Sequence, residues 1–151
     1  MILSILLGLS VAILGIFLGT QLTEAVLFVP YWKKMLPKDF FELHQVYGPK
    51  IYRFFAPITI LATIIPVITM VYSFVESTET RFYTTLMGIF TLLFFSTYYL
   101  YFKKANESFA EASLTDKELP AELDRWDKWH WSRIVLEFCA LVFALIALIL
   151  V

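Results

Sequence analysis

Residues 2–29 read ILSILLGLSVAILGIFLGTQLTEAVLFV, an apolar run whose only strongly polar side chains are Gln21 and Glu24. A helix needs about 20 such residues to cross the roughly 30 Å hydrocarbon core of a bilayer. Three more runs of this kind follow, over residues 51–75, 82–102 and 131–151. None alternates as a barrel strand does, so helices are the spanning form that satisfies the backbone. The sequence predicts an all-α integral membrane four-helix bundle, one domain over residues 1–151, with loops over about 30–50 and 103–130. Composition agrees. The chain is 60% hydrophobic, against roughly 45–50% for a soluble domain, and its mean hydropathy is +0.74.

A secretory leader is the competing reading of the first run. No Lys or Arg precedes it, it is longer than the usual apolar core of a leader, and it passes into Thr20–Glu24 without a small-residue cleavage site. A retained span is therefore expected. Orientation follows from Lys and Arg in short loops. Lys33, Lys34, Lys38, Lys50 and Arg53 follow the first run, and Lys103, Lys104, Lys117, Arg125, Lys128 and Arg133 follow the third. Only Arg81 follows the second. Both large loops are expected in the cytoplasm and both termini on the opposite side. The expected partner is the lipid bilayer. Twelve basic and 13 acidic residues leave a net charge of −1 and no basic stripe, so no nucleic-acid partner is expected.

Gly8, Ala12, Gly15 and Gly19 share one helical face by offsets of 4, 7 and 11. Small residues let helices approach closely, so this face is expected to pack within the chain or in a homo-oligomer. Pro57 and Pro66 are expected to kink the second span, with Thr59 and Thr63 positioned to bond freed carbonyls. Gly48-Pro49 is expected to break the chain before that span, and residues 76–80 read as a plain turn. The single cysteine, Cys139, excludes an intrachain disulfide and reads as an apolar packing residue.

Ionisable groups inside a span are costly and default to functional hypotheses. Glu24 lies near the end of the first run. The segment 36–47 reads as a short amphipathic helix with Phe40, His44 and Tyr47 on one face. Before and into the fourth run, Trp126, His130, Arg133 and Glu137 share a face, where Arg133 and Glu137 could form an i,i+4 pair. Asn106 follows the third run, placed to cap its helix or to meet a ligand. The aromatic residues Trp32, Trp126, Trp129, Trp131, Tyr98, Tyr99 and Tyr101 read first as an interfacial belt. Topology places Glu24, His44, Tyr47, Asn106, His130 and Arg133 at one membrane face. If a metal binds, His44, His130 and Glu24 are its candidate ligands, yet neither histidine belongs to a metal signature, and no motif specifies a cofactor. No Gly-rich phosphate loop, G-x-S-x-G elbow or C-x-x-C pair occurs.

The stretch Gly19-Thr20-Gln21-Leu22-Thr23-Glu24-Ala25, followed by Val29-Pro30-Tyr31-Trp32, resembles small four-span bacterial proteins of the anthrone-oxygenase-like family. So do Tyr47-Gly48-Pro49-Lys50-Ile51-Tyr52-Arg53-Phe54-Phe55-Ala56-Pro57, Asn106 after the third span, and the Trp126–Arg133 segment before the fourth. The resemblance covers nearly the whole chain. Most members of that group have no known function, and the family name implies oxidation of a polycyclic anthrone to an anthraquinone by molecular oxygen.

Two readings from different classes follow. The first is an oxygenase-like enzyme for a lipophilic aromatic or quinone-type substrate. His130 would be its base, or His44 from the loop, with Glu24 orienting an imidazole and Arg133 and Asn106 holding an enolate oxygen. Tyr47, Trp126, Trp129 and Phe40 would bind the flat ring. The second is a non-catalytic binding or scaffold protein, or a subunit of a larger membrane complex. A transporter ranks last, because no discontinuous helix pair is evident.

Overall fold

The computed structural model describes residues 1–76 and 79–151. The turn expected over 76–80 includes Ser77 and Thr78, which lie outside the described residues. Four helices are long and apolar enough to cross a membrane: α1 (Ile2–Trp32), α2 (Pro37–Glu76), α3 (Arg81–Ala110) and α4 (Leu119–Ile149). Each packs on its sequence neighbour, and α4 closes the ring against α1. The protein is an all-α integral membrane four-helix bundle. Residues 33–36 and 111–118 join helices at one end, called the basic end below, and both termini lie at the other.

The expected long loops are mostly helix. A 31-residue helix is roughly 47 Å long, well beyond the apolar thickness of a bilayer, so the helices run on past their apolar stretches at the basic end. The expected break at Gly48-Pro49 is absent, because α2 continues through Pro49, Pro57 and Pro66. Asn106 lies inside a helical turn ending at Ala110 and caps nothing. The chain instead leaves α3 through Ala112, whose φ of 49° is left-handed. There the Ser113 amide donates to the Ser108 carbonyl and the Ala112 amide to Phe109, a Schellman closure.

Apart from Leu18 and Ala25, the buried residues of α1 begin with Leu3, Leu7, Ser10, Leu14, Phe17, Gln21 and Glu24, in alternating steps of four and three. The same steps would next bury residues 28 and 31. Phe28 and Tyr31 are instead exposed, and Val29 and Trp32 are buried. The reason is a π-helical turn at Glu24–Phe28, whose extra residue rotates the inward face by one position. Pro30 follows it directly and has no N–H for the Val26 carbonyl, which disfavours a regular α-turn there. A second π turn, Tyr98–Phe102, widens α3.

Two interiors result. Towards the termini the core combines aliphatic and small residues with two phenylalanines: Leu14, Phe17, Ala62, Met87, Phe94, Ala140 and Ala144, then Leu3, Leu7 and Ala147. At the basic end it is an aromatic cluster of Trp32, Phe40, Phe41, Phe102, Phe109 and Trp126 with Val29, Ala105, Leu119 and Leu123. The small-residue contact face of the bundle is Ala140, Ala144 and Ala147 on α4, all fully buried. The face of Gly8, Ala12, Gly15 and Gly19 is not packed within the chain, since a methyl group added at any of the three glycines would meet open space.

Candidate functional site

The aromatic cluster is incomplete on one side, and a cavity of about 620 Å³ opens there, lined by all four helices. Glu24 and Gln21 reach it from α1, His44 and the 48–60 stretch from α2, Tyr98, Phe102, Lys103 and Asn106 from α3, and Trp126 and Arg133 from α4. Both π turns contribute to its wall, a position such turns often occupy at functional sites. The wall is predominantly aromatic and apolar, with few polar groups, as small-molecule sites usually are.

Arg133 is the unusual member. Its guanidinium carbon lies 4.8 Å from the ring centre of Phe94, 5.1 Å from Phe102 and 5.6 Å from Phe17. Cation–π attraction compensates part of the cost of withdrawing the charge from water. No hydrogen-bond acceptor or ion-pair partner meets it among the described residues, and its Nε is both buried and unpartnered. The Arg133–Glu137 pair expected from the i,i+4 spacing is not closed. Glu137 is fully buried, and neither of its carboxylate oxygens has a partner.

Asn106 is oriented by its neighbour. The Trp126 indole Nε1–H donates to Asn106 Oδ1 at 3.0 Å. Because indole can only donate, the amide must turn its oxygen towards Trp126. Its NH₂ then has no protein acceptor among the described residues and remains a donor beside the cavity.

The two histidines occupy different environments. His44 lines the cavity, and its Nδ1 lies 2.8 Å from the Phe40 carbonyl. A carbonyl only accepts, so Nδ1 carries the proton and Nε2 is left as a base without a protein partner. Phe40 lies against the ring at 3.9 Å, with Trp32 at 5.0 Å and Phe109 at 5.8 Å. His130 is fully buried behind the wall, stacked on Trp126 at 4.7 Å. Its Nε2–H donates to the Gln21 carbonyl at 3.0 Å, three residues before the π turn of α1. Glu24 approaches the same nitrogen at 3.9 Å, too far for a hydrogen bond. Its Nδ1 has no partner.

The expected site residues therefore separate. Glu24, His44, Asn106, Trp126 and Arg133 line one cavity. His130 lies behind that wall, stacked on Trp126, and does not line the cavity. Phe40 is fully buried beneath His44. Tyr47 is exposed beside Lys50, whose ammonium lies 4.6 Å from its ring. Trp129 stacks on Tyr101 at 5.2 Å, outside the lining. The suggested metal ligands do not gather either. Trp32 and Trp126 stand between His44 and the Glu24–His130 pair, and no group of three or more His, Cys, Asp or Glu suited to a metal occurs among the described residues.

No family model, curated protein or solved structure matches this chain. The site itself must therefore carry the functional reading.

Several members of the site were not apparent from the sequence. Phe17, Phe94 and Phe102 read as ordinary core residues, and nothing local marks them as a cradle for Arg133. Trp32 faces inward only because the π turn shifts the phase of α1. At the rim, Lys33 Nζ bridges Asp127 at 2.6 Å and Asp124 at 2.9 Å, tying the α1–α2 connection to α4. Partial burial would lower its pKa, but the hydrogen bonds to the two carboxylates outweigh that and raise it.

Proposed function

We propose that the protein is an oxygenase-like membrane enzyme acting on a lipophilic aromatic or quinone-type substrate held in this cavity. One observation carries the reading: a guanidinium clasped by three phenylalanine rings, lining an aromatic cavity, with no acceptor of its own. A half-buried charge in a membrane span without a protein acceptor is costly. A carbonyl or enolate oxygen on a flat ring would fulfil its hydrogen-bonding capacity, and the Asn106 NH₂ offers a second donor.

The chemistry needs a base, an oxyanion site and oxygen. His44 Nε2 takes the proton from a ring carbon made acidic by a neighbouring carbonyl. The electron pair moves into the ring and onto the carbonyl oxygen, which Arg133 and Asn106 stabilise as it becomes an enolate. The electron-rich carbon then reduces molecular oxygen and forms a C–O bond. Protonation of the resulting peroxide, O–O cleavage and loss of the second C–H release water and leave a new carbonyl. For an anthrone the balance is anthrone plus O₂ to anthraquinone plus water. The bias of Lys and Arg to one end supports placing the cavity on the cytoplasmic side, with both termini opposite.

Oxygen uptake by the full chain in detergent, with anthrone as substrate, tests this reading. Arg133→Met should lower turnover by about 10²–10³-fold, the usual cost of removing an oxyanion donor, while the variant keeps its helical content. Wild-type turnover in that variant would remove Arg133 from the chemistry. A wild-type protein that binds quinones without consuming oxygen would favour the binding-protein alternative.

A further inference from the structure

From residue 45 to residue 61 no side chain of α2 is buried, although the helix is packed at His44 and again at Ala62, Thr63 and Pro66. Those 17 positions span roughly 25 Å of helix that packs only partly on its neighbours, through residues such as Phe55 and Ile58. Pro49 and Pro57 lie in this stretch and each withdraws a backbone donor. This partial packing leaves space on both sides of the helix. One side is the cavity described above. On the other, between α1 and α2, lies an apolar groove of about 450 Å³, lined by Thr20, Thr23, Phe28, Ile51, Phe54 and Phe55 with Lys50 at its rim. Ile51 and Phe55 line both spaces, so two side chains alone are common to the cavity and the groove. Phe55 meets the Phe17 ring edge at 6.5 Å, and Phe17 in turn is part of the cradle of Arg133.

From this shared wall we infer that the substrate class is an amphiphile with a flat oxygenated ring and a hydrocarbon tail, the ring in the cavity and the tail in the adjoining α1–α2 groove. The inference rests on the reading of the cavity as a ring site. The groove offers a tail almost no polar group, because the Thr20 and Thr23 hydroxyls are already bonded to the carbonyls of Phe17 and Gly19 in their own helix. Apolar side chains facing an open groove in a bilayer gain dispersion contacts from any chain that fills it. A tail anchored by a ring in the adjoining cavity fills it with less loss of freedom than a separate lipid chain does.

Binding of two probes by the full chain in detergent decides this, read by quenching of tryptophan fluorescence. One probe is a benzoquinone bearing only methyl and methoxy groups, and the other is the same ring with a decyl tail. Thr23→Phe fills the groove from α1 at an exposed position that does not line the cavity. Partition into detergent is common to both proteins and cancels from the ratio of their affinities. The variant should bind the tailed quinone roughly tenfold more weakly than wild type, about the contribution of two methylenes, and the tailless quinone equally well. Thr20→Phe should repeat that pattern. Unchanged affinity for the tailed probe in both variants, or equal loss for both probes, would overturn the inference and leave the ring site standing. Failure of the wild type to bind either probe would overturn the ring site and the tail groove together.

Discussion

The two ends of this bundle differ in how far they pair their buried polar atoms. Towards the termini, hydroxyls are paired across helices: Ser10 with Thr69 at 2.9 Å, and Ser73 with Thr84 at 2.6 Å. All four hydroxyls also lie within hydrogen-bond distance of a carbonyl of their own helix, and in each pair the hydroxyl that accepts from its partner is free to donate to it. At the basic end and just below it, Gln21 Oε1, His130 Nδ1, Arg133 Nε and both oxygens of Glu137 are buried without a partner, against Arg81 Nε and Thr91 Oγ1 towards the termini. Hydrogen bonds between membrane helices contribute only about 0.6 kcal/mol each on average, so the paired end joins helices at little risk. An unpartnered buried group costs about 1–3 kcal/mol, and more if charged. A structure that retains several in one place gives up stability there, and two of these residues, Gln21 and Arg133, line the cavity.

That contrast can be broken in several ways. The largest effect is expected from separating the histidines. His44→Ala should lower anthrone turnover by about 10²–10⁴-fold through loss of a general base. His130→Ala should act on stability, costing roughly 2–4 kcal/mol by opening a void and removing the side-chain donor to the Gln21 carbonyl. Turnover per folded molecule should then stay close to wild type. Oxygen uptake set beside thermal unfolding in detergent reads both, and a reversed pattern would make the buried imidazole the catalytic one.

The tight end should show a smaller and purely structural response. A Cβ on Gly88 would lie 2.2 Å from Met70 Sδ and 3.2 Å from Met70 Cβ. Gly88→Ala should therefore cost about 1–3 kcal/mol by overpacking, seen as a lowered unfolding midpoint with unchanged quinone affinity. Altered affinity would show that the two ends are coupled. The smallest effect concerns Ala112, in a left-handed conformation that costs a non-glycine residue about 1–2 kcal/mol. Ala112→Gly should stabilise the protein by roughly 1 kcal/mol and leave the cavity unaltered, which the same unfolding and binding measurements check.

Sequence was a good guide wherever one helix could be read alone. The spacing of Trp126, His130, Arg133 and Glu137 correctly placed them on one face, and the four apolar runs correctly located the helices. It was a poor guide wherever an outcome depended on two helices at once. Gly8, Ala12, Gly15 and Gly19 form a plausible contact face, but Ala140, Ala144 and Ala147 show the same kind of spacing and are the residues that pack. Nothing within either stretch decides between them.

What the amino-acid sequence determined by itself is the solvent and the secondary structure. Long apolar runs must enter a bilayer, and only hydrogen bonding within each helix satisfies their backbone there. The tertiary structure decided which polar groups find partners. Whether Arg133 pairs with Glu137, or Trp126 with Asn106, depends on distances between helices that a spacing of three or four residues does not encode. The π turn beside Pro30 changes the inward face of α1 by a single residue. That shift brings Trp32 to the core in place of Tyr31 and sets it between His44 and Trp126.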